Sequence, residues 1–314
     1  MAEISEKHSE NRQGWRARRR GLIDTFAGYF TLHAAVATVL LVIVFSIGLY
    51  AKARPILHEK SFGSLFLSSA WSPAAGSFGF LPFIMGTLWV TVIAMLISTP
   101  LSFLTAVYLS EYAPRWIRSA VRPFIDLLAG IPSVVFGVWG VLVVVPIIRD
   151  ATHRFSGNSS TGYSVLAGGI VLAFMVIPVM VSVMQEVLSA TPSGLREVSF
   201  SLGATRWETV KYVVCRHSAA GLTAACILAL SRAFGETMAV LMVVGNTPII
   251  PRSVLDSGYP LPALIANNYG EMMSVKLYDS ALMTAALLLM LVVLASHVVA
   301  KLVVKRMSSS GGAA

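Results

Sequence analysis

The stretch YSVLAGGIVLAFMVIPVMVSVMQ, residues 163–185, contains no charged side chain. A helix of this length is sufficient to cross the hydrocarbon core of a bilayer, which requires about 20 apolar residues. The composition of the whole chain agrees, because 12% of its residues are charged, whereas a soluble domain carries about 25%. The stretch therefore predicts a transmembrane helix, and the chain is placed among integral membrane proteins.

Charge-poor runs of similar length recur along the chain. They predict an all-α protein with six transmembrane helices, at about residues 29–50, 79–109, 122–148, 164–188, 218–244 and 279–303. The first apolar core is longer than the roughly 7–15 residues of a signal peptide, which favours an uncleaved anchor. We divide the chain into a basic segment 1–28, a transmembrane domain 29–305 and a tail 306–314, whose Ser, Gly and Ala residues predict disorder.

The Lys and Arg residues between the predicted helices are distributed unevenly. If the N-terminus is cytoplasmic, sixteen of these residues lie on the cytoplasmic side and seven on the outer side. Positive residues are enriched in cytoplasmic loops. The counts predict that both termini are cytoplasmic.

The segment SATPSGLREVSFSLGATRWETVKYVVCRH, residues 189–217, is the most polar stretch of the second half and is cytoplasmic by the same rule. A turn at 191–194 is followed by apolar residues at helical spacing, then by Gly203, and then by a second apolar face. The pattern predicts a helix, a glycine break and a second short helix. Such a segment is either a docking element for a partner or a surface linker with amphipathic ends.

Several chemical functions lack the residues that they need. The chain has no G-x-x-x-x-G-K-[ST] loop for binding nucleotide phosphates. Its six histidines are scattered without the spacing of metal ligands, and its two cysteines form no disulfide framework. We therefore expect no metal, no cofactor and no catalytic centre in this chain.

Two charged residues interrupt the fifth predicted helix. Arg232 and Glu236 lie in ALSRAFGETM, residues 229–238, with long uncharged runs on both sides. A charged side chain at the centre of a helix in the membrane costs about 2.5–3.5 kcal/mol on insertion scales. At a spacing of four residues they share one helix face, so an ion pair is one explanation and a transport role is the other. Gly235 between them permits a close helix approach.

Two further segments have open interpretations. In AGIPSVVFG, residues 129–137, glycine and proline are able to interrupt helix three, and Ser133 offers a hydroxyl there. Interrupted backbone inside a membrane lines a cavity or is buried in protein, so a pathway role and a simple kink are equally compatible. The loop 245–278 on the predicted outer side contains YPLPALIANNYG, residues 259–270, which either dips into the membrane or caps the helices, or instead receives a partner protein.

The motifs resemble a known family. Glu197-Val198-Ser199 followed by Gly203 is similar to the coupling loop of ABC importer permeases, which contact an ATPase subunit. The family's Ala-Ala and Leu-Pro are replaced here by Val198-Ser199 and Cys215-Arg216, which leaves the start of the next helix less defined. Further stretches narrow the resemblance to PstC-type permeases of bacterial phosphate importers, over about residues 25–305: FGFLPFIMGTL (78–88), LLAGIPSVVFGVWG (127–140) and RAFGETMAV (232–240).

The resemblance implies a fold, partners and site residues. It implies the permease fold of ABC importers of the MetI-like type, in the bacterial inner membrane, with a PstA-type second permease, a dimeric PstB-type ATPase that binds ATP and Mg²⁺, and a PstS-type phosphate-binding protein. It assigns the ATPase contact to Glu197 and Gly203, with Ala204, Thr205 and Arg206 beside them. For the phosphate pathway, Arg232 becomes the transient contact, Glu236 its orienting counter-charge, and Gly235 and Ser133 neighbouring residues.

Three other functions stay open from the residues alone. One is an ABC permease for another oxyanion, such as sulfate, molybdate or phosphonate. The second is a stand-alone secondary transporter in which Arg232 and Glu236 form a proton-coupled pair, although such a transporter does not need a segment for docking an ATPase. The third is an intramembrane enzyme, for which the sequence supplies no nucleophile and no metal ligands.

Overall fold

A computed structural model describes the backbone of residues 2–156, 160–271, 275 and 277–311. It describes the side chains of residues 25–154, 160–271, 275, 277–299, 301 and 302. Within these described residues the chain is mostly helical, apart from one short hairpin, an isolated bridge between Gly245 and Gly258, and connecting loops, of which the longest is 244–260. This agrees with the all-α fold that the sequence predicts.

The elements are numbered in chain order, and three helices continue into π-helical turns. They are α1 (Ala2–Glu59), α2 (Phe62–Phe66), β1 (Trp71–Ser72), a 3-10 turn (Pro73–Ala75), β2 (Ser77–Phe78), α3 (Leu81–Val107) with a π-turn (Tyr108–Tyr112), α4 (Arg115–Gly130), α5 (Ser133–Trp139) with a π-turn (Gly140–Val144), α6 (Val145–Ser156), α7 (Val165–Ser189), α8 (Ser193–Ser201), α9 (Arg206–Glu208) with a π-turn (Thr209–Val214), α10 (Cys215–His217), α11 (Ala219–Gly235), α12 (Met238–Val243), α13 (Leu261–Asn268) and α14 (Tyr278–Gly311).

Five helical stretches in the described part of the chain are long and apolar enough to cross a membrane. They are Thr25–Glu59, Leu81–Tyr112, Ser133–Arg154, Val165–Ser189 and Tyr278–Val299. A sixth is obtained if Arg206–His217 and Ala219–Gly235, which meet at an angle of 69°, are counted as one broken span. With the broken span counted, each of the six predicted spans has a counterpart among these helices. The third and the fifth differ most from their predicted boundaries.

The third and fifth predicted helices are not continuous. The prediction of one helix over 122–148 is wrong, because the backbone is extended at Ile131 and Pro132, between α4 and α5. The prediction of one helix over 218–244 is also wrong, because α11 ends at Gly235 and α12 starts at Met238. Hydropathy alone does not detect either break, since apolar residues continue on both sides. The interruption of helix three that Gly130 and Pro132 indicated is confirmed.

The two ends of the chain are described separately. The chain divides into a unit of residues 1–52 and a unit of residues 53–314. In the first unit the backbone is helical from Ala2, including the predicted basic segment 1–28. At the other end α14 continues to Gly311, through part of the stretch predicted to be a disordered tail, and residues 312–314 lie outside the described residues.

Helix α7 is the central helix of the second unit. Two-thirds of its most apolar window is buried, more than in any other candidate span of the described chain. It packs along α3 and contacts α4, α11 and α12. Small residues permit this packing, since a Cβ added at Gly168 would lie 3.3 Å from Val90 Cγ2. The core therefore fixes α3, α7 and α11 against one another.

One end of the second unit is closed by short elements. Strands β1 and β2 pair antiparallel, and the Trp71 ring packs 4.8 Å from the Phe83 ring, centroid to centroid. Helix α13 packs on α3 and α14, and the Leu261 N–H donates to Thr87 Oγ1 at 2.9 Å. Of the interpretations of residues 259–270, capping of the helices is therefore what this arrangement supports.

Candidate functional site

The two helix breaks lie on elements that pack against each other. Helix α5 begins at Ser133 after an extended Pro132, and α12 begins at Met238 after an extended Glu236. Helix α5 contacts α12, and both contact α7. The helices that follow the two breaks are thus packed against each other.

Two glycines set the register between α5 and α12. A Cβ added at Gly137 would lie 3.2 Å from Ala239 Cα, and one added at Gly140 would lie 2.7 Å from Val243 Cγ1. The two helices therefore run in the same direction, in close contact. Helix α5, which begins at Ser133, thus packs against α12, which begins two residues after Glu236.

Arg232 and Glu236 do not share a helix face. Helix α11 ends at Gly235, and Glu236 has ψ 123°, so its side chain leaves the path that a continuous helix would give. No ion pair joins the two residues among the described side chains. The expectation of one helix that presents both charges is therefore wrong.

Glu236 instead serves the helix that follows it. Its Oε1 atom accepts a hydrogen bond from the Ala239 N–H at 3.2 Å. The first N–H groups of a helix have no partner inside the helix, and a carboxylate satisfies one of them and favours the positive end of the helix dipole. This contact caps the first turn of α12 directly after the break.

Arg232 lies on an exposed stripe of α11. Leu228, Arg232 and Gly235 follow helical spacing and are exposed, and a Cβ added at Gly235 would meet nothing within 4 Å. The neighbouring Ser231 hydroxyl forms a hydrogen bond with His297 Nε2 of α14, on a different side of the helix. Among the described residues Arg232 has no hydrogen bond and no ion pair. Its guanidinium is therefore available to a ligand or to another chain.

The segment 189–217 folds as predicted. Helix α8 ends in a Schellman motif, in which the Gly203 N–H donates to Phe200 O at 2.9 Å and the Ala204 N–H donates to Ser199 O at 3.2 Å. Gly203 has φ +84°, the left-handed conformation that glycine adopts without strain. The predicted glycine break is confirmed, and the motif gives its physical reason.

A capping box starts the second short helix. The Thr205 Oγ1 accepts from the Glu208 N–H at 3.3 Å, while Glu208 Oε2 accepts from the Thr205 N–H at 2.8 Å. The hydrogen bonds that Thr205 donates to Glu208 Oε2, from its N–H and from its hydroxyl, hold the pKa of the Glu208 carboxyl below its usual value. The two motifs fix the geometry of α8, Gly203 and α9 from within the segment.

The residues assigned to the ATPase contact lie at the surface of the described chain. Glu197, Gly203, Thr205 and Arg206 are exposed, and Ala204 is half-buried. Exposed apolar side chains accompany them: Val198, Phe200, Leu202 and Trp207. An exposed apolar group of this kind marks an interaction surface.

An ion pair that the sequence did not suggest lies beneath this surface. Arg196 Nη2 is 2.7 Å from Glu111 Oε1, and Arg196 Nε donates to Glu111 Oε2 at 3.3 Å. The side chains are 20% and 9% exposed, respectively. The two residues are 85 positions apart in the chain, so no local pattern links them. The sequence indicated only that Glu111 lies at the end of an apolar span and that Arg196 lies beside Glu197.

The family model described as "Binding-protein-dependent transport system inner membrane component" matches residues 98–309, which include both the interrupted spans and the segment 189–217. The chain belongs to this family. It is therefore a permease subunit of an ABC transporter and a multi-pass protein of the inner membrane.

Three relatives cover most of this permease. A "Phosphate transport system permease protein PstC" of Xylella fastidiosa strain 9a5c is 39% identical, over 84% of this chain and 86% of its own length. A "Probable ABC transporter permease protein YqgH" of Bacillus subtilis is 39% identical over 71% of each chain. A "Probable phosphate transport system permease protein PstC" of Methanocaldococcus jannaschii is 31% identical, over 81% of this chain and 85% of its own.

Solved structures support the fold of this permease. A bacterial alginate ABC transporter chain aligns with a TM-score of 0.63 and 15% identity, over 89% of this chain and 95% of its own. A chain of the MetNI methionine ABC transporter, in an inward-facing conformation, aligns with a TM-score of 0.54 and 20% identity, over 71% of this chain and 93% of its own. At these identities the likeness concerns the fold alone.

Among the described side chains of the permease, no group of three His, Cys, Asp or Glu residues is placed to hold a metal ion.

Proposed function

We propose that this chain is the membrane-spanning permease subunit of an ATP-driven phosphate importer. The observation that carries the proposal is Arg232, an exposed arginine of the apolar helix α11, just before the break at Glu236, with no ion pair among the described residues. Relatives described as phosphate transport system permease proteins support phosphate as the substrate.

Arg232 acts as the transient contact for phosphate. A guanidinium presents a planar fork of N–H donors that matches the oxygens of a phosphate. Glu236 is engaged with the first turn of α12 and so leaves the charge of Arg232 available. The family resemblance assigned Glu236 as a counter-charge that orients Arg232. We propose instead that Glu236 stabilises the helix break next to Arg232. Gly235 lies on the same exposed stripe as Arg232, and Ser133 begins the helix that packs on α12.

The partners follow from the family. A PstA-type permease completes the pathway, a PstS-type protein delivers phosphate, and a PstB-type ATPase dimer binds ATP and Mg²⁺ and contacts the segment 189–217. ATP binding and hydrolysis alternate access to the pathway between the two sides of the membrane. Glu197 and Gly203 to Arg206 form the contact with the ATPase, which their exposure supports.

The test is ATP-dependent uptake of radiolabelled phosphate by proteoliposomes that contain the four-component complex. We expect Arg232→Ala to abolish uptake while assembly and ATP hydrolysis persist, and Arg232→Lys to restore only part, because lysine keeps the charge without the planar fork. Arg154→Ala, at an exposed arginine of α6, is the matched control and is expected to transport normally. Normal uptake by Arg232→Ala would refute the role of this residue.

Two further arms separate the alternatives. Unlabelled sulfate and molybdate are added in excess, and competition by either as strong as that by phosphate would identify a permease for another oxyanion. Uptake driven by a proton gradient without the ATPase subunit would identify a secondary transporter. That alternative used Arg232 and Glu236 as a proton-coupled pair, which the separated side chains do not support.

A further inference from the structure

Arg196 joins three elements with one side chain. It lies on α8, directly before the exposed Glu197, but its own side chain is turned inward. It donates to Leu188 O at 3.0 Å and to Thr191 O at 2.5 Å, at the end of α7, and it pairs with Glu111 at the end of α3. Through Arg196 the segment that faces the ATPase is attached to two membrane-spanning helices.

The second half of the same segment reaches the same residue. Arg206 donates to the backbone carbonyl of Glu111, and its guanidinium carbon lies 5.1 Å from the centre of the Tyr112 ring. Among the described residues, every hydrogen bond that joins 193–208 to α3 ends on Glu111. The two halves of the segment, before and after Gly203, therefore converge on one point of α3.

The geometry of this attachment is stiff. The Arg196 guanidinium meets both oxygens of the carboxylate, and a bidentate pair fixes orientation as well as distance. Little solvent reaches the Glu111 side chain, so the pair is weakly screened. If Arg196 only capped the end of α7, its hydrogen bonds to the carbonyls of Leu188 and Thr191 would be sufficient. The pair with Glu111 is additional, and it links α8 to a helix that is distant in sequence.

We propose that Glu111 and Arg196 are positioning residues that pass the movement of α8 to α3. This inference rests on the proposed function, since it takes the ATPase as the source of the movement. Helix α3 packs along α7 and α11, and α11 carries Arg232. A displacement of α8 therefore reaches the helix of the proposed phosphate contact through Glu111.

The first measurement is the number of phosphate ions imported per ATP hydrolysed by the reconstituted complex. Glu111→Gln keeps the shape and one acceptor oxygen but removes the charge. We expect assembly and ATP hydrolysis to persist, and the ratio to fall about five- to tenfold, which is at the low end of typical coupling between sites. The matched control is Glu186→Gln, at an exposed glutamate near the end of α7. An unchanged ratio for Glu111→Gln would overturn the inference.

Exchange of the two charges tests the pair itself. The double variant Glu111→Arg, Arg196→Glu is expected to recover part of the ratio that each single exchange loses. A double variant no better than the worse single exchange would show that the pair does not act as a unit, and the inference would fail.

A second readout does not depend on phosphate. Spin labels at Thr105 of α3 and Ser201 of α8, both exposed, report the distance between the two helices after Cys215 and Cys226 are replaced. We expect one narrow distance distribution with and without ATP, and a distribution that broadens on ATP binding when Glu111→Gln is present. A wild-type distance that changes with ATP would overturn the inference. A wild-type complex that neither assembles nor transports would instead refute the proposed function.

Discussion

Replacing Gly140 with alanine tests whether the close packing of α5 on α12 supports the site. Gly140 opens the π-turn that follows α5 and is buried between α7 and α12. An added Cβ would lie 2.6 Å from Val171 Cγ2 and 2.7 Å from Val243 Cγ1. Carbon atoms in ordinary contact are about 3.5–4.0 Å apart, so each neighbour would have to yield by about 1 Å.

The neighbours cannot yield by rotation alone. Val171 and Val243 are fully buried, and a valine in a helix has one strongly preferred side-chain rotamer. The helices themselves must therefore separate, and overpacking of this kind costs about 1–3 kcal/mol. Alanine also recovers up to about 1 kcal/mol of helix propensity, which partly hides that cost. A matched glycine without neighbours is needed for comparison.

Gly130, the last residue of α4, supplies the comparison, because a Cβ there meets no atom within 4 Å. We expect Gly140→Ala to unfold about 1–3 kcal/mol more easily than Gly130→Ala in detergent titrations of the purified complex. Phosphate uptake is expected to fall for Gly140→Ala, since α12 is displaced and with it the break at Glu236 that precedes it. Equal stability and equal uptake of the two variants would refute the packing argument.

Three further substitutions test the local motifs. Gly203→Ala places a side chain at φ +84° and should cost about 1–2 kcal/mol, measured as a lower unfolding temperature and weaker ATPase binding. Thr205→Ala removes one half of a capping box and should cost about 1 kcal/mol, again as a lower unfolding temperature, whereas Glu197→Ala, at an exposed residue outside the capping box, should leave that temperature nearly unchanged. Glu236→Gln keeps an acceptor for the Ala239 N–H, so uptake should largely persist, whereas Glu236→Ala should lose the cap and most of the uptake. Equal uptake by the two Glu236 variants would show that the cap does not matter.

The membrane-spanning helices follow from the sequence because their signal is strong and local. An uncharged apolar run as long as 163–185 is typical of a helix in a bilayer. Its limits agree with those of α7 to within a few residues. The glycine break at 203 was also readable, since a helical pattern stopped there and resumed beyond it. Both features depend on residues that are neighbours in the chain.

The break at Glu236 was not readable from the same kind of evidence. A spacing of four residues between Arg232 and Glu236 predicts an ion pair only if the helix continues, and hydropathy is the same whether it continues or stops. What decides the outcome is the competition between one more turn of α11 and a capped start for α12. The Glu111–Arg196 pair was missed for a different reason, because 85 residues separate its members and neither motif refers to the other.

The exposure of Arg232 has a consequence for how the site must be completed. A charged side chain facing lipid near the centre of a span costs about 2.5–3.5 kcal/mol on insertion scales, and Arg232 has no compensating ion pair in the described chain. The stripe of Leu228, Arg232 and Gly235 must therefore face water or another chain rather than lipid. Under the proposed function a second permease subunit forms the opposite wall. Phosphate binding is then a property of the assembled complex, and purified single chains should bind phosphate no better than the Arg232→Ala variant does.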